Sequence, residues 1–278
     1  MRIIEKQTII ATVKNLCLDS NFVLGNDVLS RIKHFKSKEQ NPMGIEILTQ
    51  IEDNAEIAKK EQKPMCQDTG IVVVFLEIGK VQMDFDIYEA VNEGIRQAYK
   101  EGYLRNSTLK HPLTRENQGD NTPAIIHTKV TLNDSIKITV APKGGGSENM
   151  SRLKMLTPAE GYQGVKDFVL ETVTLAGGKT CPPIIVGVGI GGNFEKSAIL
   201  AKESLMRDID DSSSIEINKN LELELLEEIN KLGIGPMGFG GTTTALAVKV
   251  NTYPCHIAAL PVAVNLQCHS ARHKSILL

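Results

Sequence analysis

Tryptophan is absent from this 278-residue sequence, and aromatic residues of all kinds make up only 4% of it. Stacking on nucleic-acid bases or sugar rings is therefore not an expected mode of recognition. Formal net charge is only -2, and no sustained basic run occurs. That removes the electrostatic footprint of a nucleic-acid or acidic-membrane binder. No apolar run approaches the length of a membrane span, and Met1-Arg2-Ile3-Ile4-Glu5-Lys6 carries charge where a signal peptide needs continuous apolar residues. A cytoplasmic protein is expected, with small molecules or other proteins as partners. Paired C-x-x-C spacing is missing too: Cys17, Cys66, Cys181, Cys255 and Cys268 are odd in number and scattered. Such usage argues against a disulfide framework and against a structural zinc site built from one segment.

What is present fits an ordinary globular chain, with 41% hydrophobic and 23% charged residues. No internal repeat is evident. Residues 6 to 61 are expected to be helical. Asn26 and Asp27 can cap a helix carrying Val28, Leu29, Ile32 and Phe35, and another runs from Met43 until Lys63-Pro64 stops it. A strand follows at 71 to 78, then a helix from Ile87 to Lys100 with Tyr88, Val91, Ile95 and Tyr99 on one stripe. Ala124 to Thr131 and Ser135 to Ala141 are expected to form a hairpin through Leu132-Asn133-Asp134. Thr157-Pro158-Ala159-Glu160 fits a capping box that opens a helix to about Leu175. Helices over 194–207 and 221–232 and strands over 184–186, 245–250 and 257–264 complete an α/β fold, with mixed sheets flanked by helices and a helical N-terminal segment. One catalytic domain over 1–278 is expected, helical over 1–61 and α/β over 62–278.

The chemistry centres on Pro64-Met65-Cys66-Gln67-Asp68-Thr69-Gly70, just before the apolar run Ile71 to Leu76. A soft thiol and a carboxylate two residues apart suit metal-assisted acid/base work, although a buried cysteine beside an Asp-Thr-Gly turn has the same spelling. The segment Arg105 to Pro123 is long and polar, as functional loops are. Lys143-Gly144-Gly145-Gly146-Ser147-Glu148-Asn149 lets backbone N–H groups approach an anion, a carboxylate or a phosphate, and also reads as a flexible turn. Cys181-Pro182-Pro183 precedes a strand whose Gly187, Gly189 and Gly192 match G-x-G-x-x-G, with Asp208 and Asp210 where a ribose-binding carboxylate would stand. A nucleotide-binding module on Gly187–Gly192 is therefore a competing reading, although it gives the cysteines no role. A second glycine-rich loop, Gly235 to Thr244, and the terminal cluster Cys268-His269-Ser270-Ala271-Arg272-His273 close the inventory. His269 and His273 suit either a metal or solvent.

Together Cys66-Gln67-Asp68-Thr69-Gly70, Gly119-Asp120-Asn121-Thr122-Pro123, Lys143 to Asn149, Cys181-Pro182-Pro183 and Gly235-Pro236-Met237-Gly238 through Cys268 resemble the α chain, or N-terminal half, of the class I iron–sulfur fumarate hydratases. The α chain of tartrate dehydratase is a close relative of that pattern. The resemblance implies a [4Fe–4S] cluster held by Cys66, Cys181 and Cys268, with one iron left open as a Lewis acid. It implies that Asp68 transfers the proton and that Gln67, Arg105, Gly146 and His256 orient the substrate. Cys17 and Cys255 remain structural thiols.

The implied reaction interconverts (S)-malate with fumarate and water, as in the tricarboxylic acid cycle. L-tartrate dehydration is the alternative. Single-chain members of the family continue into a domain that adds basic residues and a hydroxyl residue opposite the aspartate, whereas this sequence ends ten residues past Cys268. A separate β subunit completing the active site, a higher oligomer and an oxygen-sensitive cluster are the corresponding expectations.

Overall fold

The computed structural model describes residues 2–278. In chain order the elements are β1 (Arg2–Ile3), α1 (Lys6–Phe22), α2 (Asn26–Lys36), α3 (Pro42–Glu61), β2 (Ile71–Ile78), β3 (Val81–Gln82), α4 (Ile87–Glu101), β4 (Ile125–Val130) and β5 (Ile136–Lys143). There follow α5 (Gly145–Glu148), β6 (Arg152–Leu156), α6 (Gly161–Ala176), β7 (Ile184–Gly191), α7 (Phe194–Ser204), α8 (Glu216–Lys231), β8 (Ala245–Tyr253), β9 (Leu260–Gln267) and β10 (Lys274–Leu277). They divide into two units. The first holds Met1–Leu24, Asn54–Gly145 and Arg272–Leu278, and the second holds Gly25–Asp53 and Gly146–Ala271.

In the first unit the strand order is β10-β5-β2-β4, with β2 parallel to β4 and antiparallel to β5. This corrects the expected hairpin: β4 and β5 are neighbours in sequence, but β2 lies between them. The 132–134 turn instead crosses the end of β2, where Gly79 N donates to Ser135 O and Lys80 N to Asn133 O. Val72, Val74 and Leu76 alternate along β2 and enter one core with Ile9, Val13 and Cys17 of α1 and Val91, Ile95 and Tyr99 of α4. Alternation follows from the two-residue strand period, and side chains of this size stabilise by about 2 kcal/mol each when fully buried. The helices α1 and α4 pack closely because Gly94 lacks a side chain; a Cβ there would lie 2.7 Å from Ile10 O. Asp86 caps α4, its carboxylate accepting from Tyr88 N and Glu89 N.

The second unit orders its strands β6-β9-β7-β8, and β7 is parallel to β8 but antiparallel to β9. One face is covered by Phe168, Val169 and Val173 of α6 and by Leu221, Leu225 and Ile229 of α8. Against the other lies α7, where Gly187 and Gly189 leave room for it: added Cβ atoms would fall 2.3 Å from Ala201 O and 2.1 Å from Ser197 O. Mixed sheets flanked by helices, after a helical N-terminal segment, are thus the fold class the sequence indicates. The short edge strand β6 and the terminal strand β10 lie outside the sequence expectation. Both are four or five residues long with little apolar periodicity. Among the described residues no helix is long and apolar enough to cross a membrane.

Candidate active site

Asp68 stands on the turn that feeds β2. Its Oδ1 accepts from Gly70 N at 3.0 Å and its Oδ2 from Gly145 N at 2.8 Å. Because β2 and β5 are antiparallel with Ile71 opposite Lys143, the turn before β2 and the glycines after β5 meet at one end of the sheet. The anion expected at the glycine-rich loop is therefore this chain's own Asp68 carboxylate. Gly70 adopts φ +76, and a Cβ there would meet the Lys143 carbonyl at 2.5 Å, so both the turn and the close approach require glycine. Each carboxylate oxygen accepts one N–H and keeps a lone pair for a further proton.

The surrounding backbone is fixed from several sides. Met65 N donates to Asn21 O and Met65 O accepts from Asn54 Nδ2, which holds half-buried Cys66 in place. Tyr99 Oη donates to Thr69 O at 2.7 Å, and burial pushes this phenol well above its ordinary pKa, so it stays a donor. Thr69 Oγ1 in turn donates to Arg105 O at 2.8 Å. The Gly119-to-Pro123 motif acts through Asn121. Its Nδ2 donates to Gly70 O at 3.0 Å while its Oδ1 accepts from Ser107 N and Thr108 N at 2.6 and 3.1 Å. Asn121 thereby ties the loop bearing exposed Arg105 to the Asp68 turn. Arg272, only 4% exposed, donates from Nη1 to Asp68 O at 2.6 Å and to Asn21 Oδ1 at 3.3 Å.

The first unit therefore brings together Cys66, exposed Gln67, Asp68 and the Arg105 loop. In the second unit, Cys181 precedes β7 and Cys268 follows β9. Antiparallel pairing of Ile185 with Gln267 puts both at one end of that sheet. His269 bridges them locally, its N donating to Cys181 O at 3.4 Å and its Nδ1 lying 3.0 Å from the same oxygen. Cys181 has φ 52, and the turn before it packs on the second glycine-rich loop, where Met237 N donates to Pro182 O at 2.8 Å. Gly146, also exposed, lies in the short helix α5, whose last residue is Glu148. The Glu148 carboxylate is bound by Lys202 Nζ at 2.6 Å and by Asn265 Nδ2 at 2.8 Å. His256 is exposed in the turn after β8, and β8 runs parallel to β7 away from Cys181. Its end of the sheet is the opposite one, about 25 Å from the thiols for an eight-residue strand. The second unit thus separates His256 from Cys181 and Cys268.

None of the five cysteines is in a disulfide. Cys17 is fully buried, and burial, opposed by the Arg272 guanidinium, pushes its thiol up to about 12, which fits a structural thiol. Cys66, Cys181 and Cys268 are each half-exposed beside a strand end. Gln267 Nε2 lies 3.7 Å from Cys268 Sγ, a donor of the kind that supports a metal-bound thiolate. This soft donor set fits an iron–sulfur group in chemistry. It is divided between the units, however, and among the described residues no three His, Cys, Asp or Glu side chains are gathered to hold a metal ion.

The nucleotide-type glycines are otherwise employed. Gly187 and Gly189 admit α7, and the Asn193 side chain accepts from Lys196 N at the start of that helix. Asp210 pairs with Arg31 at 2.9 Å, and Asp208 accepts from Asp210 N. Sequence reasoning gave no role to Arg272, Asn121, Tyr99 or Glu39, although Asn121 lies in the Gly119–Pro123 motif and Arg272 in the terminal cluster. Tyr99 sits on an apolar stripe and Glu39 is a single polar residue, and the partners of all four become visible only in the fold.

A carboxylate held by two amides on a thiol-bearing turn, at a sheet end shared with a glycine-rich loop, suits water addition and elimination. The chain belongs to the fumarate hydratase (Fumerase) family, whose sequence model matches residues 10–277, and it is accordingly a hydro-lyase chain. It is 45% identical over 268 residues, covering 94% of both chains, to a Methanocaldococcus jannaschii protein described provisionally as L(+)-tartrate dehydratase subunit alpha. It is 31% identical over 257 residues to the L(+)-tartrate dehydratase subunit alpha of Escherichia coli K12, covering 91% of this chain and 85% of that one. With the protein of the same name in Escherichia coli O157:H7 it shares 32% over 261 residues, with the same coverage.

Proposed function

We propose that this chain is the α subunit of a hydro-lyase that interconverts (S)-malate with fumarate and water, and that a separate β subunit completes its active site. The observation that carries the reading is the Asp68 carboxylate, fixed by Gly70 N and Gly145 N two residues after Cys66. Held in this way, Asp68 exchanges the proton at the carbon next to the one bearing hydroxyl, without first having to order its own side chain. Exposed Arg105 offers a planar fork to a substrate carboxylate, while Gln67 and the Gly146 backbone supply further polar contacts. Within its own unit His256 stands at the opposite end of the sheet from Cys181 and Cys268. When bound by Cys66, Cys181 and Cys268, a [4Fe–4S] cluster supplies an iron with an open position, a Lewis acid for the hydroxyl group.

A dicarboxylate needs several cations, and Arg105 is an exposed cation on the loop that Thr69 ties to the Asp68 turn. The remaining charge complement is assigned to the β subunit, in keeping with relatives whose names designate alpha subunits. The fumarase-type spellings Gly119-Asp120-Asn121-Thr122-Pro123 and Gly146-Ser147-Glu148-Asn149 favour malate. The tartrate dehydratase names of the relatives favour a second reading, L(+)-tartrate as substrate.

The test is anaerobic reconstitution of the α chain with iron and sulfide, alone and with its β chain, assayed with malate, fumarate and L-tartrate. Activity is expected only from the pair. Asp68→Asn should lower kcat by roughly 10²–10⁴-fold, the usual weight of general acid–base catalysis. Cys66→Ser, Cys181→Ser and Cys268→Ser should each abolish iron retention, whereas Cys17→Ser should not. Hydratase activity from the α chain alone, or an undiminished Asp68→Asn enzyme, would refute the proposal.

A further inference from the structure

Arg272 is the unusual charge of the first unit. It is 4% exposed, yet its Nε has no hydrogen-bond partner and its Nη1 donates to two neutral oxygens, Asp68 O at 2.6 Å and Asn21 Oδ1 at 3.3 Å. Burying a guanidinium is costly, and a well-packed apolar residue commonly serves stability as well or better. A role confined to stabilising the fold is therefore a poor explanation for this arginine. Its location supplies another. The carbonyl that receives its short bond belongs to Asp68, whose side chain is the proposed proton carrier, and its Nη2 packs against Gly144, where a Cβ would lie 3.3 Å away. Gly144 adjoins Gly145, whose N–H holds Asp68 Oδ2. The guanidinium thus touches both halves of the arrangement that aims the carboxylate.

We infer that Arg272 is the positioning residue for Asp68, clamping the main chain of the aspartate and seating the 144–145 glycines so that both carboxylate oxygens stay on their amide donors. The inference rests on the assignment of Asp68 as the proton carrier. Its contacts lie wholly on the chain that carries Asp68, so the second chain is not required for the clamp itself. Without the clamp the Asp68 peptide can rotate away from Arg272, and rotation of that peptide carries the side chain off Gly145 N. A displacement of about 1 Å at a reacting group costs roughly 10²-fold in rate.

The experiment compares Arg272→Gln and Arg272→Lys with the parent and with Asp68→Asn, each in the assembled, reconstituted α–β enzyme. Four quantities are read: kcat, KM, iron per chain, and hydrogen exchange at the Gly70 and Gly145 amides of the α chain. Arg272→Gln is expected to lower kcat about 10²-fold with KM changed less than about threefold and iron unchanged, and to speed exchange at Gly70 and Gly145. Arg272→Lys, which keeps one donor and the charge, should recover about tenfold of the lost kcat and part of the protection. If Arg272→Gln does not fold, Arg272→Lys alone still decides, since a clamp predicts an intermediate kcat and intermediate exchange. Unchanged kcat and exchange in the variant under test, or a loss that tracks iron content, would overturn the positioning role. Full activity of Asp68→Asn would instead overturn the assignment beneath it, so the two failures are distinguishable.

Discussion

The carboxylate of Glu39 organises the second glycine-rich loop, and its removal gives the most direct quantitative test of the second unit. Glu39 is 6% exposed, and four backbone amides converge on it. Gln40 N and Asn41 N reach Oε1 at 3.0 and 3.1 Å, Thr242 N reaches both oxygens at 3.0 Å, and Thr243 N reaches Oε2 at 2.8 Å. Gly241, at φ +126, packs so tightly on this group that a Cβ would lie 2.7 Å from Oε1. In Glu39→Ala the buried Thr243 amide loses its acceptor, and the exposed ones exchange a charged acceptor for water. One orphaned buried donor costs about 1–3 kcal/mol, and with the lost charge-assisted bonds the total is about 2–4 kcal/mol. At about 2–4 °C per kcal/mol, Tm should fall by roughly 4–16 °C. Glu39→Gln keeps the shape but turns an NH2 toward a row of donors, so it should lose at least about 1 kcal/mol.

The pH dependence has a definite sign. Burial alone would raise the Glu39 pKa, but the Thr242, Thr243, Asn41 and Gln40 bonds more than offset it and hold the carboxyl below its ordinary range. A depressed folded pKa contributes its stability above the unfolded value of about 4.3 and loses it as pH falls through the folded one. The gap between parent and Glu39→Gln, measured by urea denaturation, should therefore be widest near neutrality and close below about pH 4. A gap of less than about 0.5 kcal/mol at pH 7, the size of an ordinary surface substitution, would refute the reasoning.

Two further perturbations address the architecture. Asn121→Ala frees the Ser107 and Thr108 amides and Gly70 O together, and should cost about 2–3 kcal/mol in denaturant. In the assembled enzyme it should raise KM more than it lowers kcat, because the loop bearing Arg105 loosens while Asp68 keeps its amides; the reverse pattern in steady-state kinetics would contradict this. Gly189→Ala inserts a methyl 2.1 Å from Ser197 O and should destabilise by about 1–3 kcal/mol or more. The parent protein should show no saturable binding in a nucleotide titration, since the glycines serve helix packing.

Periodicity carries much of this fold. The helix after Ile87, the apolar run of β2 and the Thr157–Glu160 capping box each need only local residues, and the structure forms them where the pattern does, although Tyr88 of the expected stripe is exposed while Val91, Ile95 and Tyr99 are buried. Strand pairing is different. Nothing in Ile125–Val130 or Ile136–Lys143 says that β2 will separate them, because an Asn-Asp turn allows a hairpin and equally allows a turn over the end of a third strand. The same limit applies to polar partners. Neither Asn121 nor Glu39 shows its partners in its sequence neighbours, because they lie as far as 51 residues away, at Gly70, and 204 residues away, at Thr243. The G-x-G-x-x-G spelling misleads for a related reason: a missing Cβ serves close approach by a helix as well as by a phosphate, and only the fold shows which.

The glycine-rich loop after β5 bears on why the proposed reaction calls for a second chain. Three consecutive glycines beside a lysine suggest an anion site, and the occupant of Gly145 N is Asp68 Oδ2. A donor already engaged by the protein's own carboxylate is not available to a carboxylate of the substrate. The buried guanidinium of Arg272 is likewise spent on the Asp68 main chain. Under the proposed reaction a dianionic substrate would therefore meet, on this side, chiefly Arg105, Gln67 and the Gly146 backbone. One guanidinium balances one carboxylate; the second needs cations from elsewhere. The anchoring that makes Asp68 a well-aimed proton carrier is thus the same arrangement that leaves the chain short of positive charge, and a β subunit rich in exposed arginine or lysine at its contact with this chain is what the shortage predicts.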